Sequence, residues 1–226
     1  MRLKVWANMA DSSSTPRILQ ALFFVLIVRP LLAIIIGANI RRAERMPTHG
    51  PSILAANHNS HLDTLYLMSI YPLSTLYRVR PVAAADYFMQ NRMLAWFALN
   101  IMHILPLNRG SLLDRDPLAN IEAALENGDI LILFPEGSRG EPEKRSALKS
   151  GIAHLMERQP SVNVSPIYLH GLGKALPKGD WLPVPFFADV FVGESFAWQG
   201  SRQNTMQRSE QAFKQLAAEG AFLDWQ

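Results

Sequence analysis

Residues 52–63 read Ser52-Ile53-Leu54-Ala55-Ala56-Asn57-His58-Asn59-Ser60-His61-Leu62-Asp63. Behind Ser52 the apolar residues form a short continuous run, as in a strand. The polar residues that follow include Ser60, a good helix N-cap, which puts Asp63 near the third helical position. A buried strand that ends in polar residues and opens a helix is the repeating unit of an α/β fold. The loop at its carboxyl end is where such folds carry chemistry.

The same alternation continues after residue 45, short apolar runs exchanging with segments of helical period. Strands are expected over 52–56, 80–84, 103–107, 130–134, 162–169 and 189–192. The helix over 120–126 is well marked, with Asp116 as N-cap, Pro117 at the first helical position and Gly128 as the stop. Further helices are expected over about 147–158 and 205–218. There is no internal repeat and no linker long enough to divide the body. The expectation is an α/β fold with a single mixed sheet flanked by helices, occupying residues 46–226.

Composition narrows the function. Of 226 residues, 49% are hydrophobic and 18% charged, which excludes a disordered chain. With no cysteine, a disulfide framework, a Cys-ligated metal and a cysteine nucleophile are excluded. The net charge of +3 is unevenly placed. Residues 1–45 hold seven Lys and Arg against Asp11 and Glu44, a net of +5, so the other 181 residues sum to −2. The body is therefore a poor nucleic-acid surface, and no nucleic acid is expected as a partner. A basic segment around an apolar run suits an anionic membrane surface instead.

That run, residues 18–37, is long enough to cross a bilayer but is interrupted by Arg29-Pro30. Two short helices, about 18–28 and 31–40, meeting at a kink fit better than a straight span. The expectation for residues 1–45 is a membrane anchor, either a helical hairpin or a kinked helix. Basic residues at both ends leave its orientation unset.

Two segments carry candidate chemistry. His58 lies before the helix, so the chain can fold back and let Asp63 reach the imidazole. That pairing makes a general base: the carboxylate fixes the tautomer while the other ring nitrogen takes a proton from a hydroxyl. Helix capping by Ser60 and Asp63 is the plainer reading of the same residues. A metal held by His58, His61 and Asp63 is a third, although the spacing is not that of a helical H-E-x-x-H site. The second segment, Phe134-Pro135-Glu136-Gly137-Ser138-Arg139-Gly140, follows an apolar strand. Its glycines allow close approach, Arg139 offers a fork for an anion and Glu136 an acceptor for a hydroxyl.

Together these segments resemble the glycerolipid (lysophospholipid) acyltransferases of the 1-acylglycerol-3-phosphate acyltransferase type. Those enzymes pair an N-H-x4-D motif with F-P-E-G-[TS]-R. Asn57-His58 through Asp63 matches the first motif and Phe134 through Arg139 the second. Between them, Ile104-Leu105-Pro106-Leu107-Asn108-Arg109 resembles the arginine-ended segment that the family has after a strand. Lys149-Ser150-Gly151 resembles its Lys-x-Gly helix start, and Val164-Ser165-Pro166-Ile167 its proline-bearing fourth segment. The likeness spans residues 51–193. Two departures stand out: Asn100-Ile101-Met102-His103 lacks the family's usual glycine before Arg109, and the fourth segment lacks the first of two prolines.

The resemblance implies transfer of a fatty acyl group from acyl-CoA or acyl carrier protein to the free hydroxyl of a lysolipid. The acceptor it points to is 1-acylglycerol-3-phosphate, giving phosphatidic acid. Another lysophospholipid or an amino-acid-linked lysolipid is the alternative, since the departures fall in segments tied to acceptor recognition. His58 and Asp63 would be catalytic; Arg109, Glu136, Gly137, Ser138 and Arg139 would bind substrate. No metal and no bound cofactor is implied, and the protein would work on the cytoplasmic face of the inner (plasma) membrane. A membrane lipid-binding protein without catalysis is the competing class.

Overall fold

The computed structural model describes residues 14–107, 116–140, 146–176 and 182–220. Among these, one seven-stranded sheet runs in spatial order β1 (Ile36–Arg41), β7 (Phe186–Val192), β6 (Asn163–His170), β2 (Ser52–Ala56), β5 (Ile130–Leu133), β3 (Val79–Ala84) and β4 (Leu105–Leu107). All neighbours are parallel except β6 and β7, so the sheet is mixed. The central strand β2 is buried along its whole length, as its unbroken apolar run requires.

Helices cover both faces. Leu54 and Ala56 of β2 point into a layer with Phe24, Val28 and Leu32 of the N-terminal helix and Leu67 of α2 (Leu62–Ile70). Ile53 and Ala55 point the other way, against Ile121 of α6 (Ala119–Glu126), Ile152 and Met156 of α7 (Gly151–Arg158) and Phe213 of α9 (Arg202–Glu219). The period of two along the strand thus divides the core into two layers. Shorter helices α3 (Leu73–Leu76), α4 (Ala85–Phe88), α5 (Arg92–Asn100) and α8 (Leu172–Ala175) complete the connections.

Of the two forms expected for the N-terminal segment, hairpin or kinked helix, the structure has a single helix. Helix α1 runs through an α-helical part Ser14–Phe23, a π stretch Phe24–Val28 and an α-helical end Arg29–Ile35. Pro30 sits in the first turn of that last part. The wider turn before it accommodates the missing N–H and the ring, so the proline does not break the helix. Arg29 turns in toward the body, its Nη2 donating to the Tyr71 carbonyl oxygen at 2.7 Å beyond the end of α2. Residues 36–41, expected to continue a second helix to 40, form β1 instead. Six residues paired in register with β7 decide their conformation.

Other boundaries move for local reasons. The helix expected from 147 starts at Gly151, because residues 146–149 bind the loop after β5 (below). The helix expected over 120–126 begins at Ala119, with Asp116 Oδ1 accepting from the Leu118 N–H at 3.0 Å.

Candidate active site

Strand order places the two motifs side by side. β2 and β5 are parallel neighbours with Ala55 opposite Leu133, so residues 57–63 and 134–140 leave the same edge of the sheet together. The chain leaves β2 toward β3 on one side and leaves β5 toward β6 on the other. Connections that leave two neighbouring strands in opposite directions open a crevice at the carboxyl ends of those strands. The Gly140 N–H donates to the His58 carbonyl oxygen at 2.9 Å, tying one motif to the other.

His58 lies in the loop and Asp63 in the first turn of α2, as their spacing predicts. His58 Nδ1 stands 3.0 Å from Asp63 Oδ2. The same oxygen accepts from the backbone N–H groups of Asn59 at 2.7 Å and Ser60 at 2.8 Å. Three N–H donors thus converge on one carboxylate oxygen of a fully buried residue. A carboxylate only accepts, so Nδ1 carries its hydrogen and Nε2 is left as the basic nitrogen. The imidazole also stacks on the Phe134 ring, centroids 3.9 Å apart and planes 18° apart. Asp63 and Phe134 fix the ring between them, and 17% of the His58 side chain remains exposed. Asp63 Oδ1 is buried and has no partner among the described residues.

Asn57 serves the fold. Its Nδ2 donates to the Leu169 carbonyl oxygen at 2.8 Å and its Oδ1 accepts the Leu169 N–H at 2.6 Å. The side-chain amide continues the β2–β6 ladder past the end of β2 and so holds the loop that presents His58. Ser60 Oγ donates to the Leu176 carbonyl oxygen at 2.9 Å and accepts the Leu62 N–H at 3.2 Å.

In the second motif, the Gly137 N–H donates to the Phe134 carbonyl oxygen at 2.9 Å, closing a turn that needs φ +76° at Gly137. Glu136 is 2% exposed. Its Oε2 accepts the Ser146 N–H at 3.2 Å, and its Oε1 has no partner among the described residues. Burial pushes its carboxyl above the ordinary carboxylate range, against opposing pulls from the Ser146 and His58 backbone and the His58 charge. Ser138 is exposed at the loop tip. The Arg139 guanidinium lies over the Tyr87 ring, 5.9 Å from its centroid, and Tyr87 Oη stands 3.4 Å from His61 Nε2. Partial burial, then the charges of Arg139 and His58, hold the His61 imidazole below its ordinary range. Arg109, expected to bind substrate, lies outside the described residues; β4 leads toward it and ends at Leu107.

His58, Asp63, Glu136, Gly137, Ser138 and Arg139 therefore share one sheet edge. Among the described residues, no three His, Asp or Glu side chains are grouped to hold a metal ion. Sequence reasoning gave no role to Phe134, Tyr87 or Lys149. Phe134 carried a signal, as an aromatic ring where a strand meets a polar loop. Tyr87 carried none, because it arrives from the short helix after β3. Lys149 is bound to the loop through its backbone, its N–H donating to the Pro135 carbonyl oxygen at 2.8 Å.

The model of the family described as Acyltransferase matches residues 37–170, more than half of the chain. The chain belongs to the acyltransferase family. The match takes in both motifs and every strand from β2 to β6. Comparison of this acyltransferase with curated proteins gives no match. Among solved structures it is similar to the 1-acyl-sn-glycerophosphate (LPA) acyltransferase PlsC from Thermotoga maritima. The TM-score is 0.73 at 19% identity, over 91% of this chain and 81% of that one. At that identity the likeness is one of fold.

Proposed function

We propose that this acyltransferase moves a fatty acyl group from a thioester, acyl-CoA or acyl carrier protein, to the free hydroxyl of a lysolipid, with 1-acylglycerol-3-phosphate as acceptor and phosphatidic acid as product. The observation that carries this reading is the His58–Asp63 pair held at 3.0 Å beside the loop that bears Arg139. His58 Nε2 takes the hydroxyl proton as the oxygen attacks the thioester carbonyl carbon. The C–S bond breaks, the new ester forms, and the proton passes from His58 to the departing thiolate. Asp63 orients the ring and stabilises the transient imidazolium. Arg139 and Arg109 hold the anionic head group, while Glu136, Gly137 and Ser138 shape the acceptor's place. Alignment of the two reactants supplies the rest. With no cysteine in the chain and the base next to the acceptor loop, transfer is direct, without an acyl-enzyme.

The lipid substrates come from a membrane, and helix α1 supports contact with one. It is long and apolar enough to cross a bilayer. Yet Gln20, Phe24, Val28, Leu32 and Ile35, three or four residues apart, are buried against the body. The other side exposes Leu22, Leu26 and Ile34, the last at 78%. Phe23 meets Phe97 edge to face at 5.2 Å, bringing the exposed Met93, Leu94 and Trp96 of α5 alongside. A helix packed along the body cannot stand across a bilayer without taking the body with it. This arrangement supports α1 lying in the plane of one leaflet, on the cytoplasmic face of the inner (plasma) membrane where the thioester donors are available.

The test offers purified protein both labelled donors and a panel of lysolipids in mixed micelles. Labelled phosphatidic acid is the expected product. Transfer only to another lysolipid would keep the chemistry and change the acceptor. No transfer to any acceptor by folded protein would refute the proposal.

A further inference from the structure

The segment 146–149 straps the second motif from outside. The Ser146 N–H meets Glu136 Oε2 and the Lys149 N–H meets the Pro135 carbonyl oxygen. The Lys149 side chain then lies flat on Gly137. A Cβ built on Gly137 would stand 2.8 Å from both Cδ and Nζ of Lys149 and 2.9 Å from Cε. Side-chain carbons do not approach that closely, so any residue but glycine would lift the ammonium off the loop. Gly137 thus has a second task besides its turn. It admits a cation to the backbone between Glu136 and Arg139.

That cation sits where an anion is wanted. Arg139 is two residues further along the same loop. Glu136 Oε1, buried in the same turn and without a partner among the described residues, marks a place for a hydrogen-bond donor from a ligand. A ligand with a phosphate and a neighbouring hydroxyl satisfies both the cations and the orphan oxygen. We propose that Lys149 is a phosphate-binding residue of this site, brought there by the absence of a side chain at Gly137. The inference rests on the acyl-transfer reading for its substrates, both of which bring phosphate: the acceptor head group and the phosphopantetheine arm of the donor. A lysine contributes here as a point charge, whereas Arg139 supplies a planar fork.

The experiment is calorimetric binding of 1-hexanoylglycerol 3-phosphate, and separately of coenzyme A, to wild type, Lys149→Met and Lys149→Arg. Acyl transfer is measured on the same preparations. Methionine keeps the tail on Gly137 and removes the charge; equal melting temperatures confirm the fold. A lost charge-assisted hydrogen bond predicts affinity for one ligand weakened by about tenfold or more in Lys149→Met, and restored to within about threefold in Lys149→Arg. Loss on the hexanoyl lipid assigns the phosphate to the acceptor, and loss on coenzyme A assigns it to the donor. Affinities unchanged for both ligands, or a wild type that binds neither, would overturn the proposal. A wild type that binds through Lys149 but transfers no acyl group would sink the acyl-transfer reading and leave the phosphate site standing.

Discussion

Replacing Asp63 by asparagine changes one atom and tests the heart of the site. Asp63 Oδ2 receives three N–H donors, from His58, Asn59 and Ser60. A hydrogen bond to a charged acceptor is worth about 1.5–3 kcal/mol and a neutral one about 0.5–1.5. The loss is therefore about 1 kcal/mol per bond, or about 3 kcal/mol for the three. The new amide nitrogen takes the place of Oδ1, buried and without a partner, and brings donors into a dry position for about 1–3 kcal/mol more. At roughly 2–4 °C per kcal/mol for a chain of this size, the melting temperature should fall by about 8 °C or more. Catalysis should fall further than stability explains, because a neutral amide oxygen holds the Nδ1–H more weakly and does not stabilise imidazolium. The general-base contribution is about 10²–10⁴ in rate, and most of it should go. The assay is kcat for acyl transfer well below the melting temperature, beside a thermal melt. An Asp63→Asn enzyme within threefold of wild-type kcat would refute the reasoning, whatever its stability.

Asn57→Ala should do the opposite. It orphans the buried Leu169 N–H and carbonyl oxygen, costing about 2–5 kcal/mol, while kcat of the folded enzyme stays within about threefold; melting curves and active-site-normalised rates check both halves. Glu136→Gln should change how stability depends on pH. Because the folded protein raises this carboxyl above its ordinary 4.5, it keeps the proton over a window starting there, and wild-type stability falls as pH rises through that window. Denaturant titrations should show wild type losing ground to Glu136→Gln from about pH 4.5 upward, and a constant difference would contradict it. Changing Leu22, Leu26 and Ile34 to serine removes about 1 kcal/mol of lipid contact apiece, so binding to anionic vesicles should weaken about a hundredfold with the melting temperature unchanged.

The central strands were legible because parallel strands buried on both faces leave continuous apolar runs, and β2 lies at 52–56 as expected. The His58–Asp63 contact was legible because five residues of chain across a capped helix start leave few geometries. Strand β1 was not. Its Ile36-Gly37 continues an apolar helical run, and only pairing with β7, some 150 residues later, makes it extended. Pro30 looked like a break because sequence does not show a π turn that can absorb it. Residues 147–150, expected to open a helix, stay outside it for a similar reason: the backbone donors of Ser146 and Lys149 are drawn to Glu136 and Pro135, partners that exist only once the loop after β5 has formed. Tyr87 reaches the site from an element whose own pattern says nothing of it, and Lys149, matched only as the start of a helix, gave no sign of its place against Gly137. Asn57, prominent in a catalytic-looking motif, proved to be a ladder extension, a role visible only when Leu169 is beside it.

The central claim is that His58 takes the proton from the acceptor hydroxyl. It is tested most directly by acceptor-dependent thiol release from the acyl donor, wild type beside His58→Ala. His58 touches Asp63 and Phe134 at a partly exposed position, so the variant should fold. The account predicts release that requires lysolipid in wild type and falls by about 10²–10⁴ in His58→Ala. Release that proceeds at a similar rate in the variant, or that needs no acceptor, would contradict it.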